Sequence, residues 1–106
     1  MANSLGNELS AALSNITSLI IKTESKSERE ILIKQQALIA GQLQVFVDRV
    51  VDEALPQYRA ATAALNAANT EAEAAKDELD KVAAMINKVA AAIDKLAALA
   101  AKVAAA

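Results

Sequence analysis

The sequence predicts an all-α protein. A short N-terminal helix and a capped turn are followed by a long helix, kinked or broken at Pro56, which runs into an alanine-rich coiled-coil arm. The chain is expected to assemble into an oligomeric helical bundle. Three observations predict this fold class. Only two glycines and one proline occur in 106 residues, too few for the turns of a β-rich fold. Apolar residues recur three and four positions apart, which indicates amphipathic helices. From Tyr58 onward they also recur every seven residues, as in a coiled coil.

The composition favours a shared core over a compact monomer. Alanine accounts for 27 of the 106 residues and buries little area, while phenylalanine and tyrosine occur once each. A fully buried large side chain contributes roughly 1.5–3 kcal/mol, so a single-chain core built from so few of them would be weakly stabilised. We therefore expect one helical domain over residues 1–106 that shares its core with other copies.

The residue types leave little room for catalysis. Neither histidine nor cysteine occurs, which removes the usual general base, the commonest zinc ligand and any disulfide. The carboxylates of Asp48, Asp52 and Glu53 are typical of a solvated helix face. We predict a non-enzyme that needs no cofactor and no metal ion.

The N-terminal segment MANSLGNELSAALSN has no basic region followed by an apolar run, so we expect no signal peptide. No stretch of 18 uncharged apolar residues occurs either, and we expect no transmembrane segment. Cytoplasmic localisation as synthesised is the expectation, and export by a signal-independent route stays open.

The first helix is predicted from Leu5 to Lys22, because Leu9, Leu13, Ile16 and Ile20 step by four, three and four. A turn over 23–27 should follow. Ser27 and Glu30 form a capping box that predicts a second helix from Glu28.

The second helix is predicted from Glu28 to Leu55 and is apolar on more than one face. One seam contains Leu32, Ile39, Leu43, Phe46 and Val50, and a second contains Ile31, Leu38 and Val45. A helix that is hydrophobic almost all round is usually buried among neighbours. We therefore expect it to be central, with a small-residue patch that allows close helix packing at Ala37, Ala40 and Gly41.

Pro56 interrupts or restarts the helix. The apolar spacing continues in phase through it, from Val47 and Val51 to Tyr58 and Leu65, which favours a kinked continuation of helix 2. The alternative is a new helix that begins at Pro56, where proline is well tolerated.

The segment from 56 to 105 is predicted to form one long coiled-coil helix, because every a and d position of its heptads is apolar. At 1.5 Å per residue it would span roughly 70 Å. The predicted oligomer interface consists of Tyr58, Ala61, Leu65, Ala68, Ala72, Ala75, Leu79, Val82, Ile86, Val89, Ile93, Leu96 and Val103.

The end of this arm has a narrow polar stripe of lysines seven residues apart, with alanine on most flanking positions. One interpretation is packing against more than one helix, with Met85 and Leu99 as a second contact line. The other is a helix that lies on a membrane. Insertion of alanine into lipid gains little free energy, and the segment has no aromatic residue to anchor it at the membrane interface. Packing against protein helices is therefore favoured.

Charged residues before and along this stripe could set the register of an assembly. These predicted register charges are Glu71, Asp77, Glu78, Lys81, Lys88, Lys95 and Lys102. The basic stripe has no arginine or aromatic residue for phosphates or bases, so nucleic-acid binding is not expected.

Taken together, these features predict a structural or interaction protein that self-associates into a homo-oligomer. Membrane activity through residues 81–106 is the alternative, and a small adaptor or inhibitor that binds another helical protein is the weaker one.

Overall fold

In a computed structural model of the chain, which describes residues 5–47 and 53–105, all regular structure in those ranges is helical. The all-α class predicted from the sequence is confirmed. The helices are α1 (Leu5–Lys22), α2 (Lys26–Val47), α3 (Pro56–Asp77) and α4 (Val82–Ala105), with a short 3₁₀ turn over Leu79–Lys81.

The helices form two hairpins, α1–α2 and α3–α4, packed side by side. The backbone N–H of Leu5 donates to the Tyr58 hydroxyl at 3.0 Å, and Lys76 Nζ donates to Asn15 Oδ1 at 2.6 Å, so α1 and α3 run parallel. Around the bundle the order is α1, α2, α4, α3, since each helix packs mainly on two neighbours. Helices α2 and α3 therefore lie diagonally opposite each other, and α2 lies at a corner of the bundle rather than at the centre that its sequence predicts.

All four helices contribute to one core. Large side chains come from α1, α2 and α4, including Leu9, Ile16, Ile39 and Leu96, all fully buried. The buried residues of α3, by contrast, are alanines apart from Leu65. Because alanine is small, α1 and α4 can approach the α3 backbone closely.

The first helix has the predicted bounds, but α2 begins at Lys26, two residues before the prediction. Ser25 rather than Ser27 precedes the helix, and the Glu28 N–H donates to Ser25 Oγ at 3.4 Å. Ser25 and Glu28 have the same spacing as Ser27 and Glu30, so two overlapping capping boxes exist. The earlier one is used, because it extends α2 by half a turn.

Pro56 begins a new helix, and the favoured alternative, a kinked continuation, is wrong. Leu55 has an extended backbone, with φ −63° and ψ 133°, and Pro56 occupies the first turn of α3. The proline ring disfavours helical geometry in the residue before it, which explains the break. The described part of α2 ends at Val47 instead of Leu55, and Asp48 and Asp52 lie outside the described residues.

The unbroken helix predicted from 56 to 105 is also wrong, since the chain turns back at Glu78. Glu78 has φ −130° and ψ 94°, and its N–H donates to the Ala74 carbonyl at 3.0 Å to close α3. The carboxylates of Asp77, Glu78 and Asp80 cluster here, where the negative end of the helix dipole disfavours them. The reversal lets α3 and α4 bury their apolar faces against each other.

Candidate interaction surface

The residues predicted to bind a second copy mostly fill the core of the single chain. Eight of the thirteen are buried, namely Ala61, Leu65, Ala68, Ala72, Ala75, Val82, Val89 and Leu96. Tyr58, Ile86, Ile93 and Val103 are half-buried against the same core, and Leu79 is exposed. In the folded chain, therefore, a second copy cannot reach most of the predicted interface unless the bundle opens.

Within α4 the buried face is rotated from the heptad seam. The predicted second contact line, Met85 and Leu99, is fully buried, whereas the a-position residues Ile86 and Ile93 are only half-buried. With Ile86 and Ile93 at a, the buried residues of α4 lie at d and g: Val82, Val89 and Leu96 at d, Met85 and Leu99 at g. The core positions of α4 are therefore d and g rather than a and d. Two large aliphatic residues of the seam are left at the edge of the core.

The second apolar seam of α2 is uncovered. Its members Ile31, Leu38 and Val45 are 43%, 52% and 43% exposed, while Leu32 and Ile39 of the first seam are fully buried. Exposed Lys34 lies beside the seam between Ile31 and Leu38, but no charged residue occurs from 35 to 47, so that stretch exposes only alanine, glycine and glutamine besides the seam. A solvent-facing helix normally carries charges there, and their absence marks α2 as the candidate interaction element.

Two neighbouring glutamines show which side of α2 this seam occupies. Gln36 Nε2 donates to Thr17 Oγ1 of α1 at 2.8 Å, and Gln35 Nε2 donates to the Ile86 carbonyl of α4 at 3.0 Å. Residues three or four positions from Gln35 share its side of the helix, and these include Ile31 and Leu38. The uncovered seam thus lies on the α4 side of α2.

A shallow apolar groove therefore runs between α2 and α4. Its α2 wall is the seam Ile31, Leu38 and Val45, and its α4 wall is formed by half-buried Ile86 and Ile93. We call these five side chains the groove residues. Ala90 is exposed on the same side of α4, four residues after Ile86 and three before Ile93, and exposed Lys34 has the corresponding place on the α2 wall, between Ile31 and Leu38.

Packing between α2 and α4 leaves polar atoms unsatisfied. The Oε1 atoms of Gln35 and Gln42 are buried, and no hydrogen-bond donor reaches them within the part of the chain that the structure describes. A buried polar atom without a partner is destabilising by about 1–3 kcal/mol. Both atoms belong to α2, the helix that forms one wall of the groove.

The α1–α3 pair is different, because four polar side chains are connected across it. Asn69 Nδ2 donates to Glu8 Oε2 at 2.9 Å, Asn15 Nδ2 donates to Asn69 Oδ1 at 3.0 Å, and Lys76 Nζ donates to Asn15 Oδ1. Glu8 and Asn15 are 3% and 5% exposed. The sequence did not reveal this cluster, since Glu, Asn and Lys on helices usually indicate a solvated face.

This polar cluster holds the register of two parallel helices and offers no catalytic geometry. It contains no nucleophile beside a base. In the described ranges, no group of three histidine, cysteine, aspartate or glutamate side chains could hold a metal ion.

The small-residue patch does not pack on another helix of the described chain, and its close packing against a helix of another copy stays a prediction. Ala37, Ala40 and Gly41 are exposed, and a Cβ at Gly41 would meet nothing within 4 Å. The reason is that α2 points its Leu32 and Ile39 side into the bundle, and the patch lies on another side of the helix.

Within residues 5–47 and 53–105, the predicted register charges form one ion pair, which is local. Lys81 Nζ lies 3.4 Å from Glu78 Oε2 across the turn. Asp77, Lys88, Lys95 and Lys102 are exposed and Glu71 is half-buried. Their predicted role between copies stays a prediction.

Comparison of the chain with protein-family models, with curated proteins and with solved structures gives no match. Among the described residues, no helix combines the length and apolar character needed to cross a lipid bilayer.

Proposed function

We propose that this chain is a non-enzymatic structural or interaction module that self-associates into a homo-oligomer through helical surfaces. The observation that carries the proposal is the uncovered seam of α2, formed by Ile31, Leu38 and Val45 and continued by a charge-free surface from residue 35 to 47. Exposed apolar patches of this kind mark protein or membrane interaction sites.

Self-association would use these side chains rather than the buried heptad seam. Each of the three is about half-exposed, so its burial at an interface contributes about 1 kcal/mol. Three residues on each of two copies contribute about 6 kcal/mol, and the half-buried isoleucines of α4 add to this. Association must also offset several kcal/mol of lost rotational and translational freedom, so we expect weak assembly, at roughly tens to hundreds of micromolar chain.

The alternative function is membrane binding through the same apolar surface. Lys88, Lys95 and Lys102 lie exposed on the side of α4 away from Ile86 and Ile93, an arrangement that also suits a helix lying on lipid. The groove contains no aromatic side chain to anchor it in the headgroup region, and protein self-association is therefore favoured. Binding to a different helical protein through this surface is the weaker alternative.

The test is molar mass by light scattering coupled to size-exclusion chromatography, over a micromolar concentration series. The wild-type chain should give a discrete multiple of 11.0 kDa. Leu38→Glu should shift it to the monomer mass, because a charge cannot be buried at an apolar interface without a large penalty. Ile21→Glu is the matched control, since Ile21 is 80% exposed on α1 and lies away from the groove.

A wild-type chain that stays monomeric throughout the series would refute self-association. In that case, cosedimentation with anionic lipid vesicles, abolished by Leu38→Glu, would assign the surface to membranes. A monomer that does not cosediment would leave the adaptor role as the function to test.

A further inference from the structure

We infer that Glu78 is a hinge at which two copies that fold together exchange α4. In the exchanged form α3 and α4 of each copy straighten into one helix, and α4 packs on α2 and α3 of the other copy with the contacts that it makes in the closed chain. This inference goes beyond the proposed self-association, because the groove residues of α4 move with the helix and stay uncovered in both forms. Three observations carry it: the composition of the turn, its backbone geometry, and the exposure of Leu79.

The first observation is that the residues of the turn favour a continuous helix. The α1–α2 turn has Ser25, whose Oγ accepts from the Glu28 N–H, and the break before α3 has Pro56. By contrast, residues 76–81 read KDELDK, without glycine, proline, serine or asparagine, and lysine, glutamate and leucine are good helix formers. The Glu78 side chain does not cap the 3₁₀ turn that follows it. Packing of α4 on α3 therefore selects the turn, and α4 of a second copy can supply the same packing.

The second observation is that one residue alone interrupts the helical backbone between residues 56 and 105. Glu78 has φ −130° and ψ 94°, whereas Val82, directly after the 3₁₀ turn, already has φ −59° and ψ −39°. Both the extended and the helical region are open to any L-residue. A change of φ and ψ at Glu78 is therefore enough to join α3 to α4.

The 3₁₀ turn also gives the straightened helix the correct phase. The core positions are a and d on α3 but d and g on α4, a shift of about 60° backwards at 100° per residue. A 3₁₀ turn advances 120° per residue, so the three residues of this turn rotate α4 forwards by about 60°. The two rotations offset each other. The buried faces of α3 and α4 therefore line up on one side of the straightened helix, which faces the second copy.

The third observation is the position of Leu79, which is 40% exposed in the closed chain. Its place in the heptad seam is between Ala72 and Ile86. In the straightened helix Leu79 lies at the middle of the seam, beside the two-fold axis that relates the copies, and so it meets Leu79 of the second copy. This contact is new, whereas the other contacts of α4 are the same in both forms, as in domain-swapped dimers generally.

The test is an intrachain distance in the full-length chain, which has no native cysteine. Arg59→Cys and Lys102→Cys place two nitroxide labels at exposed positions, near the end of the α3–α4 hairpin that lies opposite the hinge. Packed helices lie 8–10 Å apart, so the labels of a closed chain should be within roughly 25 Å of each other. In a straightened helix the 43 residues between them span about 65 Å.

The labelled chain is unfolded in urea, refolded in an excess of unlabelled chain at low or high concentration, and measured by double electron–electron resonance. Dilution with unlabelled chain limits the signal to distances within one chain. We expect the short distance alone after refolding at low concentration, where the hairpin closes within the chain. After refolding at high concentration a second distance near 65 Å should appear, together with a mass of twice 11.0 kDa by light scattering.

Three substitutions at the hinge separate exchange from other causes. Leu79→Pro should reduce exchange about a hundredfold or more, because proline suits the residue after an extended Glu78 but not a helix interior. Leu79→Ala is the matched control: it removes the same side chain but lets Glu78 become helical, so the long distance should persist at a lower level. Glu78→Ala should increase exchange about twofold for each hinge, since alanine has the higher helix propensity.

A long distance that rises with refolding concentration and disappears in Leu79→Pro supports the inference. Short distances alone, in the wild type and in Glu78→Ala at every refolding concentration, would overturn it. A long distance that persists in Leu79→Pro, or is equally strong at low concentration, would mean that α3 and α4 separate without exchange and would overturn it as well. The proposed self-association is judged separately, by the mass of chain that has never been unfolded and by its loss in Leu38→Glu.

Discussion

Replacement of Asn69 by alanine tests whether the buried polar cluster holds α1 on α3. The Asn69 amide makes three hydrogen bonds: Nδ2 donates to the Glu8 carbonyl at 3.2 Å and to Glu8 Oε2 at 2.9 Å, and Oδ1 accepts from Asn15. Each such bond contributes about 0.5–1.5 kcal/mol net, and the buried Asn15 amide donor would be left unsatisfied. We expect Asn69→Ala to lower the free energy of unfolding by about 2–4 kcal/mol.

The matched control is Asn66→Ala, an exposed position one turn earlier on the same helix. Both substitutions gain the same helix propensity, roughly 0.6 kcal/mol, so the difference between them isolates the cluster. The measurement is urea unfolding followed by circular dichroism at a single protein concentration, because self-association would shift the midpoint by mass action. If the two variants differ by less than about 0.5 kcal/mol, the hydrogen bonds do not stabilise the α1–α3 pair and the reasoning fails.

Two further predictions concern the end of the bundle where α1 and α3 begin. Tyr58→Phe removes the hydroxyl that accepts from the Leu5 N–H, so it should cost about 1 kcal/mol and speed hydrogen exchange of the Leu5 amide; an unchanged exchange rate in NMR would contradict this contact. Pro56→Ala should lower the unfolding free energy by about 0.4–1 kcal/mol, because proline restricts the unfolded chain at a position whose native backbone it suits; a variant as stable as wild type in urea would contradict it.

Periodicity predicted which side of α1 and of α3 is buried, but neither the rotated buried face of α4 nor what covers each side. The stripe of α1 and the first seam of α2 are buried as their spacing indicates, with Leu9, Ile16, Leu32 and Ile39 fully enclosed. The d positions of the arm from Ala61 to Leu96 are buried as well, whereas Val103 is half-buried. A seven-residue repeat is compatible with a partner helix from the same chain or from another copy, since knobs-into-holes packing of the side chains is the same in both cases.

The turn at Glu78 could not be predicted because it carries neither glycine nor proline. Pro56 was recognised as the site of a kink or a break, with the kink favoured, because proline removes a helical hydrogen-bond donor. Glu78 instead adopts an extended backbone that any residue can take, and what selects it is tertiary burial of α3 against α4. The buried polar cluster around Asn69 was not predicted for a similar reason. Its residues resemble a solvated helix face until α1 is known to lie beside α3.

The alanine core of α3 and the exposed groove have a common cause. The buried face of α3 supplies four alanines and only Leu65 as a large side chain, so its neighbours must provide the volume. Helix α4 provides it by turning Met85 and Leu99, at g positions, into the core. At 100° per residue, a core shifted from a and d to d and g corresponds to a rotation of about 60°. The same rotation carries Ile86 and Ile93 away from the centre and towards α2, where the uncovered seam Ile31, Leu38 and Val45 also lies. A fold that fills its small-residue core in this way leaves an apolar strip on α2 and α4, with Lys34 exposed between Ile31 and Leu38.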